Sequence, residues 1–278
     1  SQDIADALGP YYTQGMAEDT KALSDGVFND EDFLRQAELV FTERRRLYDY
    51  FLDHFDSGVL FFYFSSIDQV SHMMWRTMDP AHPGYNAEAN AAHGNVIENL
   101  YLDMDKIVGE TLERVGGDTT IVILSDHGFA PWYRAFHLNT WLLDHNFITL
   151  KDPARRGQSD YFLNVDWTRT KAYGLGLNGL YINQLGRESY GLVPASDLPA
   201  LSEEIAQGLL KVRDPVNNQP VISRVYKSAE VFSGEGLEHA PDLIVGFHRG
   251  YRNSNESSVG RIPPELIVDN LDLWSGLL

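Results

Sequence analysis

Two short apolar runs, each followed closely by an aspartate and a histidine, constrain the fold of this chain more than any other feature. The runs cover residues 59–64 and 119–124. The first run is apolar on both faces, which is typical of a central strand in a parallel sheet that helices cover on each side. Amphipathic helical patterns begin at about Asp30 and extend from about Ala87 to Val115. The order helix, strand (residues 59–65), helix, strand (residues 119–124), with long helical connections, predicts an α/β fold with a parallel sheet.

The second half of the chain carries weaker signals. We predict a helix over 137–145, strands over 171–175, 179–183 and 242–247, a helix over 197–212 and a loop-like tail from residue 250. We interpret residues 1–278 as a single domain, with residues 150–234 as a candidate for a subdomain inserted into the main sheet.

Composition limits the classes of partner. The 278 residues are 43% hydrophobic, enough for a large core, and the net charge of −18 argues against the basic footprint that a nucleic-acid backbone requires. An acidic protein can still bind a phosphate ester when metal ions supply positive charge. The chain has no cysteine, which excludes disulfides, thiolate metal sites and a cysteine nucleophile.

The sequence of this chain carries no recognisable targeting or membrane segment. No apolar stretch approaches the roughly 20 residues of a membrane span. The start at Ser1 has neither the basic region nor the apolar region of a signal peptide. The compartment therefore stays open between the cytoplasm and export.

The two Asp/His pairs are the candidate metal ligands of the chain. Asp68 and His72 would share one face of a helix that begins there, and Asp126 and His127 follow the second run at a turn that Gly128 allows. Ligands of open α/β sheets bind beyond the carboxyl ends of the strands. Aspartate and neutral histidine are common ligands of Zn²⁺, Mn²⁺ and Fe. We therefore predict a metal site formed by these four residues, in which two ions about 3.5–4 Å apart would hold the attacking and leaving oxygens of a phosphoryl transfer.

Each pair taken alone also fits a structural interpretation, as a surface helix pair or an ordinary turn after a strand; their joint occurrence favours the metal site. His137 is a further candidate, because it lies near Arg134 and could reach a substrate oxygen or a metal. The alternative for His137 is a helix-starting histidine with a backbone partner. Arg134 could pair with a phosphate, and its alternative is an ordinary surface arginine. The residues identify no catalytic nucleophile in this chain.

The motifs resemble those of the alkaline phosphatase superfamily. The sequences Asp68-x-x-x-His72 and Ser125-Asp126-His127-Gly128-Phe129 carry the resemblance. The branch that they resemble most is the type I phosphodiesterase/nucleotide pyrophosphatase-like proteins, predicted phosphohydrolases or phosphomutases. Residues 136–142, 181–183, 186–188 and 240–243 are also similar to that branch.

The resemblance implies a three-layer αβα fold with a mostly parallel central sheet and two divalent metal ions, Zn²⁺ before Mn²⁺. It assigns Asp68 and His72 to one ion, and Asp126 and His127 to the other. It also implies a Ser or Thr nucleophile that forms a covalent phospho-enzyme, which water then hydrolyses. The implied activity is hydrolysis of small-molecule phosphate esters, of the phosphodiesterase/nucleotide pyrophosphatase type.

The chain departs from the family pattern at both ends. The family's nucleophile and first metal-binding Asp lie on a strand and helix that no segment before Asp68 matches. The family's last metal-binding His follows a segment like Trp274-Ser275-Gly276, beyond which the sequence has no His. We therefore expect the domain to be truncated at both ends, with the nucleophile outside this chain. Two alternatives stay open: phosphotransfer of the phosphoglycerate mutase type, and a non-catalytic metal-binding fragment.

Overall fold

Helices and short strands alternate along the chain in the computed structural model, which describes residues 2–277. The α-helices are α1 (Gln2–Leu8), α2 (Thr20–Ser24), α3 (Asp30–Asp53), α4 (Ser66–Met78), α5 (Ala87–His93), α6 (Val96–Val115), α7 (Leu138–Asp144), α8 (Leu198–Leu209), α9 (Ser228–Val231) and α10 (Asn255–Ser258). The strands are β1 (Ala130–Phe136), β2 (Ala172–Leu175), β3 (Gly179–Ile182), β4 (Ile222–Lys227), β5 (Leu243–Phe247), β6 (Gly250–Asn253), β7 (Ile267–Asp269) and β8 (Gly276–Leu277). Two compact units result: the described parts of Ser1–Pro131 and Leu271–Leu278 form the first, and Trp132–Asn270 forms the second.

The first unit is mainly helical, and α3 is its longest helix. Asn29 and Asp32 form a capping box at the start of α3, so the predicted helix from Asp30 is confirmed. The core of this unit lies where α3, α4 and α6 present Phe33, Met73 and Ile97, all nearly inaccessible to solvent. At its other end, β8 pairs antiparallel with the first two residues of β1.

The predicted helix over 87–115 is wrong in one respect, because the structure has two helices there. Helix α5 ends at His93, with Gly94 as its C-cap, and α6 begins at Val96 after its N-cap residue Asn95. A β-carbon at position 94 would lie 2.6 Å from the Asn90 side-chain nitrogen and 2.7 Å from its carbonyl oxygen. Because this close approach requires glycine, a weak helix former, the helical pattern is interrupted at this point.

The two predicted central strands, residues 59–65 and 119–124, are also wrong: neither segment belongs to a strand. Phe62 and Phe64 pack against Tyr48 of α3, with ring centroids 5.2 Å and 5.5 Å apart, so one side of the first segment is covered. On its other side Val59 is 94% exposed and Phe61 73% exposed. Residues 122–124 are about as exposed as Phe61. Apolar composition indicates that a segment favours burial, but a strand also needs hydrogen-bonding neighbours, and among the described residues neither segment has them.

The second unit contains an antiparallel sheet in the order β2-β3-β5-β4. The predicted strands over 171–175, 179–183 and 242–247 are confirmed in it, as β2, β3 and β5, and the predicted helices over 137–145 and 197–212 are confirmed as α7 and α8. Trp141 of α7 and Ile205 of α8 belong to the same buried cluster as Leu180 and Val245 of this sheet.

The remaining part of β1 pairs in this unit with β6 in parallel and with β7 antiparallel. The tail from residue 250 is therefore not loop-like as predicted, since it contains β6, α10 and β7. These elements have only three or four residues each and include polar side chains, so they lack the apolar periodicity that identifies an element in a sequence.

The α/β class is thus confirmed, whereas the mostly parallel central sheet and the three-layer arrangement are not. Among the strand pairs of the described residues, β1 with β6 is the parallel one, and the other named pairs are antiparallel. The single domain with an inserted subdomain at 150–234 stays a prediction. In the described part of the chain, no helix combines the length and the apolar composition needed to cross a bilayer.

Candidate metal centre

Three side chains of the first unit converge on one point. Asp68 and His72 lie one turn apart on α4, and His127 comes from the loop that precedes β1. The Asp68 Oδ1 atom lies 3.4 Å from His72 Nε2 and 3.4 Å from His127 Nε2. Asp68, His72 and His127 offer ligand atoms that all lie within 4.8 Å of one another. The structure therefore brings together three of the four residues predicted as metal ligands.

The other ring nitrogen of each histidine contacts a backbone carbonyl. His72 Nδ1 lies 2.9 Å from the carbonyl oxygen of Gly276, and His127 Nδ1 lies 3.0 Å from that of Gly128. A carbonyl oxygen only accepts hydrogen bonds, so each Nδ1 carries the proton and donates it. In the neutral imidazole the lone pair then lies on Nε2, which is the tautomer of a metal-binding histidine with a backbone acceptor behind it.

The Asp68 carboxylate completes this arrangement. Its Oδ2 accepts a hydrogen bond of 2.7 Å from the Gln69 side-chain amide. Its Oδ1 is buried, and among the described residues no donor satisfies it. A buried carboxylate oxygen without a donor is costly, and here it faces two nitrogen lone pairs. A cation would satisfy all three atoms at once, so the donor set fits a divalent metal ion.

Aromatic rings and the segment before the chain end surround the cluster. His72 is only 3% exposed. Its ring stacks on the ring of Trp274, with the ring centroids 4.1 Å apart, and the ring of Phe129 approaches it edge-on, with the centroids 4.9 Å apart. Ser275 fixes this segment to α4, because its N–H donates to the His72 carbonyl at 2.7 Å and its Oγ accepts from the Arg76 N–H at 3.0 Å. Sequence reasoning missed Gly276 as the partner of His72. The signal that could have found it is the Trp-Ser-Gly segment itself.

Asp126 lies outside the three-residue cluster. Its side chain is 84% exposed, and its Oδ2 lies 3.7 Å from His127 Nε2. Tyr63 is a neighbour of these carboxylates that the sequence did not reveal. Partial burial raises the pKa of its hydroxyl, and the negative charges of Asp68, Asp126 and Glu18 raise that pKa further. The assignment of Asp126 and His127 to a second ion stays a prediction, but the geometry offers a different grouping, because His127 Nε2 lies nearer to Asp68 than to Asp126.

The second unit contains His137. This buried residue precedes α7, its Nδ1 lies 2.6 Å from the Glu265 carbonyl oxygen, and its Nε2 lies 3.9 Å from a carboxylate oxygen of Glu256. These contacts match the alternative of a helix-starting histidine with a backbone partner, and its role in substrate binding stays a prediction. Arg134 is occupied by ion pairs with Asp214 and Asp269.

One comparison with known proteins identifies the family. The family model of type I phosphodiesterase / nucleotide pyrophosphatase matches residues 13–262. No curated protein and no solved structure matches the chain. The matched range covers most of the chain and includes every residue of the predicted site. The chain belongs to the type I phosphodiesterase/nucleotide pyrophosphatase family of the alkaline phosphatase superfamily, a family of phosphoester hydrolases.

Proposed function

We propose that this protein hydrolyses small-molecule phosphodiesters or nucleotide-like phosphate esters with the help of divalent cations, one of which Asp68, His72 and His127 bind. The observation that carries the proposal is the buried Asp68 Oδ1 without a donor, 3.4 Å from two Nε2 atoms. The membership of the family supports the phosphoester substrate class.

The donor set favours zinc, and manganese is the second choice. Two imidazole nitrogens and one carboxylate oxygen are ligands that Zn²⁺ accepts readily, with room for a fourth ligand from solvent or substrate. When bound, such an ion polarises a phosphoryl oxygen as a Lewis acid. The carbonyls of Gly276 and Gly128 hold the two imidazole rings in the ligating orientation. The exposed carboxylate of Asp126 is the predicted ligand for a second ion.

The nucleophile stays a prediction that accompanies this function. We infer that a Ser or Thr hydroxyl serves as the nucleophile. The net charge of −18 supports a small phosphate ester rather than a nucleic-acid backbone as partner. In this account the protein supplies the metal ligands and their orientation, and cations supply the positive charge that the substrate requires.

The test is turnover of bis(4-nitrophenyl) phosphate by the full-length protein with added Zn²⁺ or Mn²⁺. We expect metal-dependent release of nitrophenolate that EDTA abolishes and that Asp68→Asn and His127→Ala reduce strongly. Asp105→Asn, a substitution of an exposed aspartate on α6, is the matched control and should leave turnover unchanged. Turnover that is insensitive to EDTA, or equal in the two site variants and the control, would refute the proposal.

A further inference from the structure

A buried carboxylate outside the three-residue cluster contacts the start of the helix that carries Asp68. Glu18 is only 4% exposed although it lies in an irregular segment before α2. The Ser65 hydroxyl is 3.0 Å from each Glu18 carboxylate oxygen, and the Ser66 hydroxyl donates to Glu18 Oε1 at 2.6 Å. Among the ion pairs of the described residues, no arginine, lysine or histidine pairs with Glu18. The hydroxyls of Ser65 and Ser66 are the side-chain groups that bind its carboxylate.

The backbone on both sides of Glu18 is fixed to α3. The side-chain amide of Gln36 donates to the Ala17 carbonyl at 2.9 Å and accepts from the Asp19 N–H at 3.0 Å. Asp19 in turn caps α2 through the Ala22 N–H. Because one amide group binds the residue before and the residue after Glu18, the direction of the Glu18 side chain is set by α3.

Glu18 also accepts the hydroxyl hydrogen bond of the N-cap residue of helix α4. Ser65 is the N-cap residue of α4, yet its side chain makes no capping bond to the helix backbone, since the hydroxyl is directed to Glu18. A carboxylate beside the first turn interacts favourably with the helix dipole. Ser66 is the first residue of α4, and Asp68 lies two positions later in the same turn. The hydrogen bonds of Glu18 therefore fix the backbone from which the Asp68 side chain extends.

We propose that Glu18 is a positioning residue of the metal site, which acts through Ser65 and Ser66 to hold Asp68 where its Oδ1 meets the two histidines. The inference rests on the proposed function, because it assumes that Asp68 binds a cation. The negative charges of Asp68, Asp126 and Glu18 all raise the pKa of the Tyr63 hydroxyl, so the three carboxylates share this neighbour. A purely structural role would need only a side chain of similar volume and hydrogen-bonding capacity.

The experiment measures Zn²⁺ affinity by isothermal titration calorimetry together with the thermal midpoint of the metal-free protein. Glu18→Gln keeps the volume and one acceptor but removes the charge and the second carboxylate oxygen. We expect it to weaken Zn²⁺ binding about 10-fold, as changes behind metal ligands commonly do. The matched control is Glu38→Gln, at an exposed position of α3, which should bind zinc like the original chain.

A second variant, Ser66→Ala, removes the shortest hydrogen bond to Glu18 and tests the same coupling if Glu18→Gln fails to fold. We expect the double variant to bind zinc no more weakly than the weaker of the two single variants. Zinc affinity of Glu18→Gln or of Ser66→Ala equal to that of Glu38→Gln would overturn the positioning role, provided that the original chain binds zinc and Asp68→Asn does not. Absence of zinc binding by the original chain would instead refute the metal site itself, so the two failures are distinguishable.

Discussion

The hydrogen bonds of two ring nitrogens decide what the cluster around Asp68 can bind. Because His72 and His127 each donate from Nδ1 to a carbonyl, their Nε2 atoms are left as acceptors toward an unsatisfied carboxylate oxygen. Three acceptors facing one another repel unless a proton or a cation lies between them. The arrangement therefore favours a cation between the three atoms.

Loss of the negative charge of Asp68 should have a large effect on Zn²⁺ affinity. We expect Asp68→Asn to weaken Zn²⁺ binding by at least about 100-fold, since changes to groups behind a ligand already cost about 10- to 100-fold. Competition with a chromophoric chelator measures this difference. Asp105→Asn is the control, and equal zinc affinity of the two variants would show that Asp68 is not a ligand.

The ion pair of Arg134 with Asp214 should make stability depend on pH in the second unit. The Asp214 side chain is inaccessible to solvent, and although burial opposes ionisation, hydrogen bonds from Arg134, the Val216 N–H and Tyr251 lower the pKa of this carboxyl. A lowered pKa in the folded state stabilises the protein above the ordinary Asp pKa of about 3.9, and this contribution is lost as the pH falls through the folded value.

Arg134→Gln should therefore lower the free energy of unfolding by about 3 kcal/mol at pH 7, because it leaves a buried charge without its cation. Urea titrations at pH 7 and near pH 3 measure the free energy of unfolding of Arg134→Gln and of the original chain, and the difference between the two proteins should be smaller near pH 3. A difference that stays constant over this range would contradict the role of the Asp214 charge.

Helix α4 and the segment 274–277 that packs on it form the structural element on which the proposed metal site depends. The segment approaches so closely that a β-carbon on Gly276 would lie 2.5 Å from the Ser71 carbonyl oxygen. Glycine is therefore required here for close approach of two backbones. The same glycine supplies the carbonyl that orients His72.

Gly276→Ala should cost about 1–3 kcal/mol of folding free energy, the usual range for overpacking a fitted contact. It should also weaken zinc binding, because the segment can relieve the clash only by moving the His72 acceptor. Gly109→Ala is the control: it lies in α6 with open space around its α-carbon, and it should raise stability by about 0.5–1 kcal/mol. Chemical denaturation of both variants measures the change, and an unaltered midpoint for Gly276→Ala would argue against the close contact.

Local signals in the sequence were sufficient to predict the elements that carry their own periodicity or caps. Helix α3 follows from its apolar spacing and from Asn29, and the pairing of Asp68 with His72 follows from the four-residue spacing once α4 exists. The strand predictions at 59–65 and 119–124 failed because strand formation depends on a neighbour that local sequence does not specify. Gly276 and Glu18 were missed for the same reason, since their contacts join residues 204 and 47 or more positions apart.

In the first unit, one side of the segment 59–64 exposes apolar side chains to solvent. Val59 and Phe61 alternate along the segment 59–64 with side chains that pack on α3, so their own side faces solvent. An exposed apolar stretch with unpaired backbone is prone to association with other apolar surfaces.

We expect the native chain to enhance the fluorescence of ANS, a dye that reports exposed apolar surface, and to elute from gel filtration earlier at higher concentration. The double variant Val59→Ser/Phe61→Ser should reduce both effects. Leu163→Ser, which removes an apolar side chain that is 68% exposed in the second unit, should change both effects little. Equal ANS fluorescence for the original chain and the double variant would contradict the exposed apolar side.

The membership of a phosphoester hydrolase family and the geometry of one cluster lead to the same account, in which Asp68, His72 and His127 bind a divalent cation. The most direct test is the visible absorption spectrum of the chain titrated with Co²⁺, whose d–d bands report nitrogen and oxygen ligands in a low-symmetry site. We predict a spectrum that saturates with Co²⁺ and differs from that of the hydrated ion, and that changes in both His72→Ala and His127→Ala. A spectrum identical to hydrated Co²⁺, or one that neither histidine variant alters, would contradict the account.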